Sequence, residues 1–371
     1  MRLRGRDPRA EQEKRWPGTP SPVVETTTDT RAPLDQHDLQ AAPTPESEPE
    51  GGEPFDLERQ PVTPLLLDDF EPPGPDEGVA DADTVEPDET VAKASRAWSE
   101  VAAVMSHREA GEYQPRPPPR ILAVANQKGG VGKTTTAVNL GAGLADLGYR
   151  VLVIDLDPQG NATTGLGVDG RSFELSMYDV VMRDAKLEDA IEPTSIKNLF
   201  VAPATIDLAG AEIELVPTFS RELRLRRALE SIAGDFEFVL IDCPPSLGLI
   251  TVNGLAAADE VLVPIQCEYY ALEGLGQLLR NVHLVQANLN ERLEVTTIVL
   301  TMYDGRTKLA EQVADEVRTH FGNKVCRNVI PRTVRISEAP SFGQPITAFD
   351  PSSRGAIAYR ELAREVSGGP A

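Results

Sequence analysis

Residues 120–136 read RILAVANQKGGVGKTTT, an apolar run of strand length that passes directly into a glycine-rich turn and then into residues that continue as a helix. Such a turn lets backbone N–H groups close around a phosphate, assisted by the positive end of the helix dipole. Gly129, Gly130, Val131 and Gly132 form the turn. Lys133 is expected to reach the β- and γ-phosphates of a nucleotide, the Thr134 hydroxyl to ligate Mg²⁺, and Thr135 to complete the cradle. The stretch departs from the common GxxxxGK[ST] form at its opening, where Gln127 stands at the first glycine position and a second lysine, Lys128, follows. The strand–loop–helix context makes a nucleotide site, not a chance turn, the expectation.

Beyond this motif, apolar strand-length runs alternate with helical patterns. RVLVIDLD (150–157), FEFVLIDCPP (236–245), EVLVPIQC (260–267) and LEVTTIVLTMYD (293–304) read as buried strands. Helices accompany them over Ala137–Leu147, Ala271–Ala287 and Leu309–Phe321. Continuous apolar strands alternating with helices imply a doubly wound α/β domain, its sheet mostly parallel with helices on both faces, as in P-loop NTPases. Its expected span is 119–371, with no internal repeat. Two carboxylates sit near the end of the second strand, and Asp155 and Asp157 share one side of it if the chain stays extended. Strand ends of this kind lie beside the phosphate loop. Asp157 opens a loop, DPQGN, suited to move with nucleotide state, and Asp242 closes the apolar strand FVLI.

The first 118 residues differ in kind. The whole chain has 371 residues with 36 basic and 58 acidic side chains, a net charge of −22. The segment 1–118 carries 12 of the bases and 26 of the acids, a net −14. Rich in Pro, Glu, Asp, Thr and Ala, it is expected to be a disordered tail, because it cannot bury enough apolar surface to offset its ordering entropy. Pro115–Pro119 (PRPPP) reads as a stiff linker. Within the tail, Val91, Trp98, Val101, Ala102 and Met105 share one face of a helix at 91–110. That helix is either marginal in isolation or a docking element that folds on binding. Leu65, Leu66, Leu67 and Phe70 form a short apolar motif among acids, a docking peptide or merely a few leucines. Met105 also offers an alternative start of translation.

So acidic a chain disfavours non-specific attraction to DNA or anionic lipid except through a local basic patch. The arginine-rich start lacks the apolar run of a secretory signal, and no stretch approaches the ~18 apolar residues of a membrane span. Cys243, Cys267 and Cys326 lack metal-ligand spacing and read as reduced, mostly buried thiols of a cytosolic protein.

KGGVGKTTT resembles the deviant Walker A loop of the ParA/MinD group of ATPases. That resemblance implies ATP and Mg²⁺ as ligands, and a Lys128 that reaches across an ATP-dependent homodimer to the partner's phosphates. It implies that Asp157, in a first switch, orients the attacking water. FVLIDCPPS is similar to the group's Walker B strand and second switch, with Asp242 holding Mg²⁺ through water and Pro244, Pro245 and Ser246 sensing the γ-phosphate. QCEYYALEG, TMYDGRT and NVIPRTVRISEAPSFGQPI resemble the ParA/Soj chromosome-partition branch, and the likeness covers about residues 119–366. By that resemblance Pro331 and Arg332 line the adenine pocket, and Arg306 and Arg335 contact DNA non-specifically. The implied partners are nucleoid double-stranded DNA and a ParB-type centromere-binding protein. A polar scaffold, reached through Trp98 and Met105 of the tail, is a further candidate partner.

Other classes fit less well. A MinD-like membrane switch needs a basic amphipathic C-terminal helix, whereas this chain ends AYRELAREVSGGPA. A tyrosine kinase of the group needs a terminal tyrosine cluster, and an iron–sulfur carrier needs paired cysteines. A relative that positions a protein cargo by the same cycle would carry the same motifs.

Overall fold

Each apolar run marked by the sequence becomes a strand buried on both faces, and alternation along it feeds two separate cores. Leu152, Ile154, Val239 and Ile241 point into one, whereas Val151, Val153, Phe238 and Leu240 point into the other, as the two-residue period of a strand requires. The computed structural model describes residues 119–232, 234–268 and 271–368. The expectations for residues 1–118, including the 91–110 helix and the Leu65–Phe70 motif, lie outside the described residues.

In chain order the elements are β1 (Arg120–Val124), α1 (Lys133–Asp146), β2 (Val151–Asp155), α2 (Asn161–Gly165), α3 (Met177–Arg183), β3 (Glu192–Pro193) and β4 (Leu199–Ala202). Then follow α4 (Leu208–Glu214), α5 (Arg224–Glu230), β5 (Phe238–Asp242), α6 (Leu249–Ala257), β6 (Glu260–Gln266) and α7 (Ala271–Asn288). The chain continues with β7 (Glu294–Thr301), α8 (Lys308–Phe321), α9 (Val334–Glu338), α10 (Ile346–Phe349) and α11 (Arg354–Ser367). The sheet order is β3-β4-β2-β5-β1-β6-β7. Every pairing is parallel except that of β3 with β4. β1 lies between β5 and β6, so the loops after β1, β2 and β5 meet at one edge, where doubly wound sheets bind ligands.

The three expected helices form, α1 beginning at Lys133, four residues before the expected start. β3, β4 and α11 are additions to the sequence-based expectation. The strand β2 stops at Asp155, so Asp157 stands beyond it in a turn, and the extended geometry that would align the two carboxylates ends at Asp155.

The C-terminal helix α11 turns Tyr359, Leu362, Ala363 and Val366 inward against α1. A Cβ on Gly143 of α1 would stand 2.9 Å from the Ala363 Cβ and 3.1 Å from the Tyr359 carbonyl oxygen, so the two helices meet at glycine because nothing larger fits. The apolar face that a membrane-seeking helix would need is thus covered by the protein's own α1. Among the described residues no helix is long and apolar enough to cross a membrane. At the opposite edge, buried Arg120 pairs with Glu260 at 2.7 Å and donates to the Val366 carbonyl, tying the end of α11 to the sheet. Losing one partner of such a buried pair costs about 3–5 kcal/mol. All three cysteines are free and buried.

Candidate functional site

The phosphate loop owes its shape to two glycines in the left-handed region, Gly130 (φ 74°) and Gly132 (φ 88°), a conformation that side chains with a Cβ rarely adopt. Side chains pin it from beneath. The Thr301 hydroxyl, at the end of β7, donates to the Val131 carbonyl at 2.8 Å. Asn126 donates through Nδ2 to the Pro264 carbonyl (2.8 Å) and accepts from the Lys128 N–H (3.0 Å) through Oδ1. Within the loop, Lys133 Nζ donates to the Lys128 carbonyl at 3.2 Å. Burial lowers the Lys133 pKa, opposed by nearby Asp242 and Asp157. Its side chain is thus turned inward over the loop backbone.

Lys128 points elsewhere. Its Nζ lies 3.6 Å from the Glu268 carboxylate just beyond β6, and the lysine side chain is 31 % exposed. The two lysines of the loop are thus divided, one turned inward and one at the rim.

Asp155 and Asp242 face each other across β2 and β5, and both are fully buried. Asp155 is well satisfied: it accepts from the Thr163 N–H (2.8 Å), the Thr163 hydroxyl (2.7 Å) and the Asp157 N–H (3.1 Å). Burial nevertheless raises its pKa to about 6. The Thr163 hydroxyl in turn accepts from the Ala204 N–H at 3.0 Å. Asp155 is therefore the anchor of the loop that carries Asp157, a role that its spacing in the sequence does not assign. Asp157 itself is half-buried and takes the Gln159 N–H at 3.0 Å.

Asp242 has the opposite condition. Both of its carboxylate oxygens are buried without a hydrogen-bond partner. Burial and then the Asp155 carboxylate hold its pKa well above the usual range. The Thr134 hydroxyl lies near enough to oppose that rise but outside hydrogen-bond geometry. An orphaned buried carboxylate beside a threonine hydroxyl and the phosphate loop fits a hydrated cation. Among the described residues no group of three or more His, Cys, Asp or Glu could hold a metal ion. Mg²⁺ suits such a place because it keeps water and phosphate oxygens as most of its ligands.

Because that carboxyl group is orphaned and sits against the Asp155 carboxylate, Asp242→Asn should raise the melting temperature of the ligand-free protein, by about 1–2 kcal/mol of stability. It should also abolish the gain in ATP affinity that Mg²⁺ confers. Thermal melts with and without Mg²⁺–ATP check both; a destabilised, Mg²⁺-responsive variant would contradict the assignment.

The remaining sequence candidates gather at the end of β7. Tyr303 and Pro331 form a parallel bridge, and the Arg332 N–H donates to the Tyr303 carbonyl at 3.1 Å. This sets Pro331 and Arg332 just past Thr301, the residue that holds the phosphate loop. Arg306 and Arg335 lie on the two bridged segments, 89 % and 59 % exposed. Each has acidic company. Arg306 makes a forked pair with Asp304 at 2.8 and 2.6 Å, which with Arg332 nearby lowers the Asp304 pKa to about 2. Arg335 lies 3.1 Å from Glu338 and 3.5 Å from Asp350. Thr163, Glu268 and Asp304 carry no signal in the sequence, because their partners are distant in the chain or fixed by turn geometry.

Known proteins bear on this geometry. Residues 119–295 match the family model described as an AAA domain. The chain is 58 % identical over 248 residues to the sporulation initiation inhibitor protein Soj of Bacillus subtilis, covering 67 % of this chain and 98 % of that protein. It is 57 % identical over 251 residues to the chromosome partitioning protein ParA of Caulobacter vibrioides, covering 67 % and 94 %. Among solved structures, a cobyrinic acid a,c-diamide synthase of Mycobacterium smegmatis with bound ADP and magnesium is 44 % identical, with a TM-score of 0.58 and coverage of 66 % and 92 %. The cell division ATPase MinD of Pyrococcus furiosus is 30 % identical, with a TM-score of 0.54 and coverage of 67 % and 98 %.

Proposed function

This chain belongs to the ParA/Soj family of chromosome-partitioning ATPases, within the ParA/MinD superfamily, and on that basis we propose a nucleotide-gated cycle on DNA. It binds ATP with Mg²⁺ and hydrolyses it. In the cycle, ATP joins two subunits face to face, the dimer grips nucleoid DNA without sequence preference, and a centromere-bound ParB-type partner stimulates an otherwise slow hydrolysis. The ADP form then lets go. The cell location that follows is cytoplasmic and nucleoid-associated.

The observation that carries this reading is the division between the two loop lysines. Lys133 turns inward to the Lys128 carbonyl, while Lys128 stands at the rim with its charge directed toward Glu268. A second subunit closing over the rim would receive Lys128 at its γ-phosphate, where negative charge builds in the transition state. Thr134 and Asp242 would hold Mg²⁺, Asp242 through water, and the bound cation would supply neutralisation of phosphate charge there. Asp157 orients the attacking water, and Gly129–Thr135 cradle the phosphates. Pro331 and Arg332 border the adenine.

Arg306 and Arg335 are assigned to DNA phosphates, giving four contacts per dimer. Binding of the ATP-locked dimer should then fall about 150-fold between 50 and 200 mM salt, a slope near −0.9 per contact. A flat salt response would contradict the assignment. The acids beside these arginines compete with phosphate, so Asp304→Asn should strengthen DNA binding by a modest, roughly few-fold factor. Weaker binding on titration of the variant with DNA would show instead that Asp304 positions Arg306.

A further inference from the structure

Four of the ten large apolar side chains exposed among the described residues fall between Ile206 and Phe219: Ile206 (66 %), Ile213 (77 %), Val216 (56 %) and Phe219 (89 %). Exposed apolar residues scattered singly need no explanation, but a concentrated row marks an interaction surface. The inner side of the segment is already committed, with Leu208, Ala211 and Leu215 buried in the core. Ile213 on α4 and Val216 in the turn after it are exposed, and Ile206 and Phe219 stand in the turns before and after them.

The position of this row says what covers it. It follows β4, so in a parallel sheet it emerges at the same edge as the loops after β1, β2 and β5. It is also wired to both loops expected to move with nucleotide state. On one side the Ala204 N–H bonds the Thr163 hydroxyl that holds Asp155. On the other, the Glu212 carboxylate of α4 accepts the Leu249 N–H at 3.0 Å, just after the Pro244–Ser246 turn. A Cβ on Gly248 would fall 1.9 Å from Glu212 Oε2, so the Glu212 carboxylate of α4 sits hard against that loop.

We propose that the row Ile206–Ile213–Val216–Phe219 is an apolar part of the interface between two copies of this chain, wired to both switch loops. The proposal rests on the face-to-face dimer: a subunit positioned to take Lys128 at its phosphates closes over this same edge. The rim carries both signs, with exposed Asp207 and Glu214 on the segment and Arg221, which donates to the Val216 carbonyl. Mixed charge suits a two-fold contact, in which one patch must complement itself, better than a uniformly charged peptide. Movement of either loop on ATP binding would shift α4 and with it the row, coupling nucleotide state to self-association.

The test is sedimentation velocity of the full chain with Mg²⁺ and a non-hydrolysable ATP analogue, comparing wild type with Ile213→Ser/Phe219→Ser. Wild type is expected to dimerise, and the double variant to dimerise at least about 100-fold more weakly, with unchanged binding of a fluorescent ATP analogue to the monomer. Val216→Ala, a milder truncation, should weaken the dimer by an intermediate factor and guards against misfolding of the double variant. A double variant that dimerises like wild type overturns the proposal and leaves the dimer standing. That result combined with lost stimulation by a centromere-binding protein would assign the row to that partner instead. A wild type that stays monomeric with the analogue overturns the dimer reading itself.

Discussion

Replacing Lys128 with alanine is expected to lower ATP turnover by about three orders of magnitude or more, the range found when a charge supplied in trans to a transferring phosphoryl group is removed. Binding of ATP by the single subunit should hardly change. The backbone cradle of Gly129–Gly132 and the inward Lys133 remain. Within the subunit the substitution removes only the partly exposed pair with Glu268, of a type that contributes little. The variant thus separates the two lysines by experiment: steady-state turnover collapses while titration with a fluorescent nucleotide stays near wild type. A Lys128→Ala protein that hydrolyses ATP normally as a monomer would refute the role in trans.

Asp157→Ala is expected to have the second largest effect and an informative product. Turnover should fall about 10²–10⁴-fold, the usual worth of a group that positions or deprotonates the attacking nucleophile. The ATP-bound dimer, unable to advance, should accumulate on DNA. The loop is expected to survive the substitution. Its anchor is Asp155 with Thr163, and the Gly160 N–H bonds the Asp157 backbone carbonyl, which alanine retains. A pulse of ATP followed by competitor DNA would show slow release from the variant and prompt release from wild type. Normal turnover would reject the assignment of Asp157.

The parts of the site that are legible in sequence are those whose chemistry is local. A strand, a glycine turn and a lysine–threonine pair announce a phosphate loop because all its donors lie within a few residues. Asp242 can be read because it closes a wholly apolar strand. What cannot be read depends on meetings between distant segments. Glu268 finds Lys128 only after β6 is laid beside β1. Thr163 finds Asp155 through the first turn of α2, and nothing in the spacing of Asp155 and Asp157 says that one is an anchor and the other half-exposed. β4 escapes notice because LFVA is only four residues long, too short to show a period. α11 escapes because its stripe of Tyr359, Leu362, Ala363 and Val366 makes sense only against Gly143.

The exposed arginines show the same limit. Arg306 and Arg335 stand out by resemblance to a family motif, yet that motif says nothing of their carboxylate neighbours. Asp304 reaches Arg306 by a turn that also leaves the Arg306 N–H on the same carboxylate at 3.1 Å. Asp350 comes to Arg335 from the loop before α11. A grip on DNA built from such guarded cations should be weak in one subunit and effective only when two subunits align them.

Whether nucleotide gates DNA binding is decided by co-sedimentation of the full chain with DNA in ATP, in ADP and without nucleotide, at one low salt concentration. DNA-bound protein is expected with ATP alone, and free protein in the other two conditions. Equal binding in all three would contradict the switch, and no binding in any would leave an ATPase whose surface of action is something other than DNA.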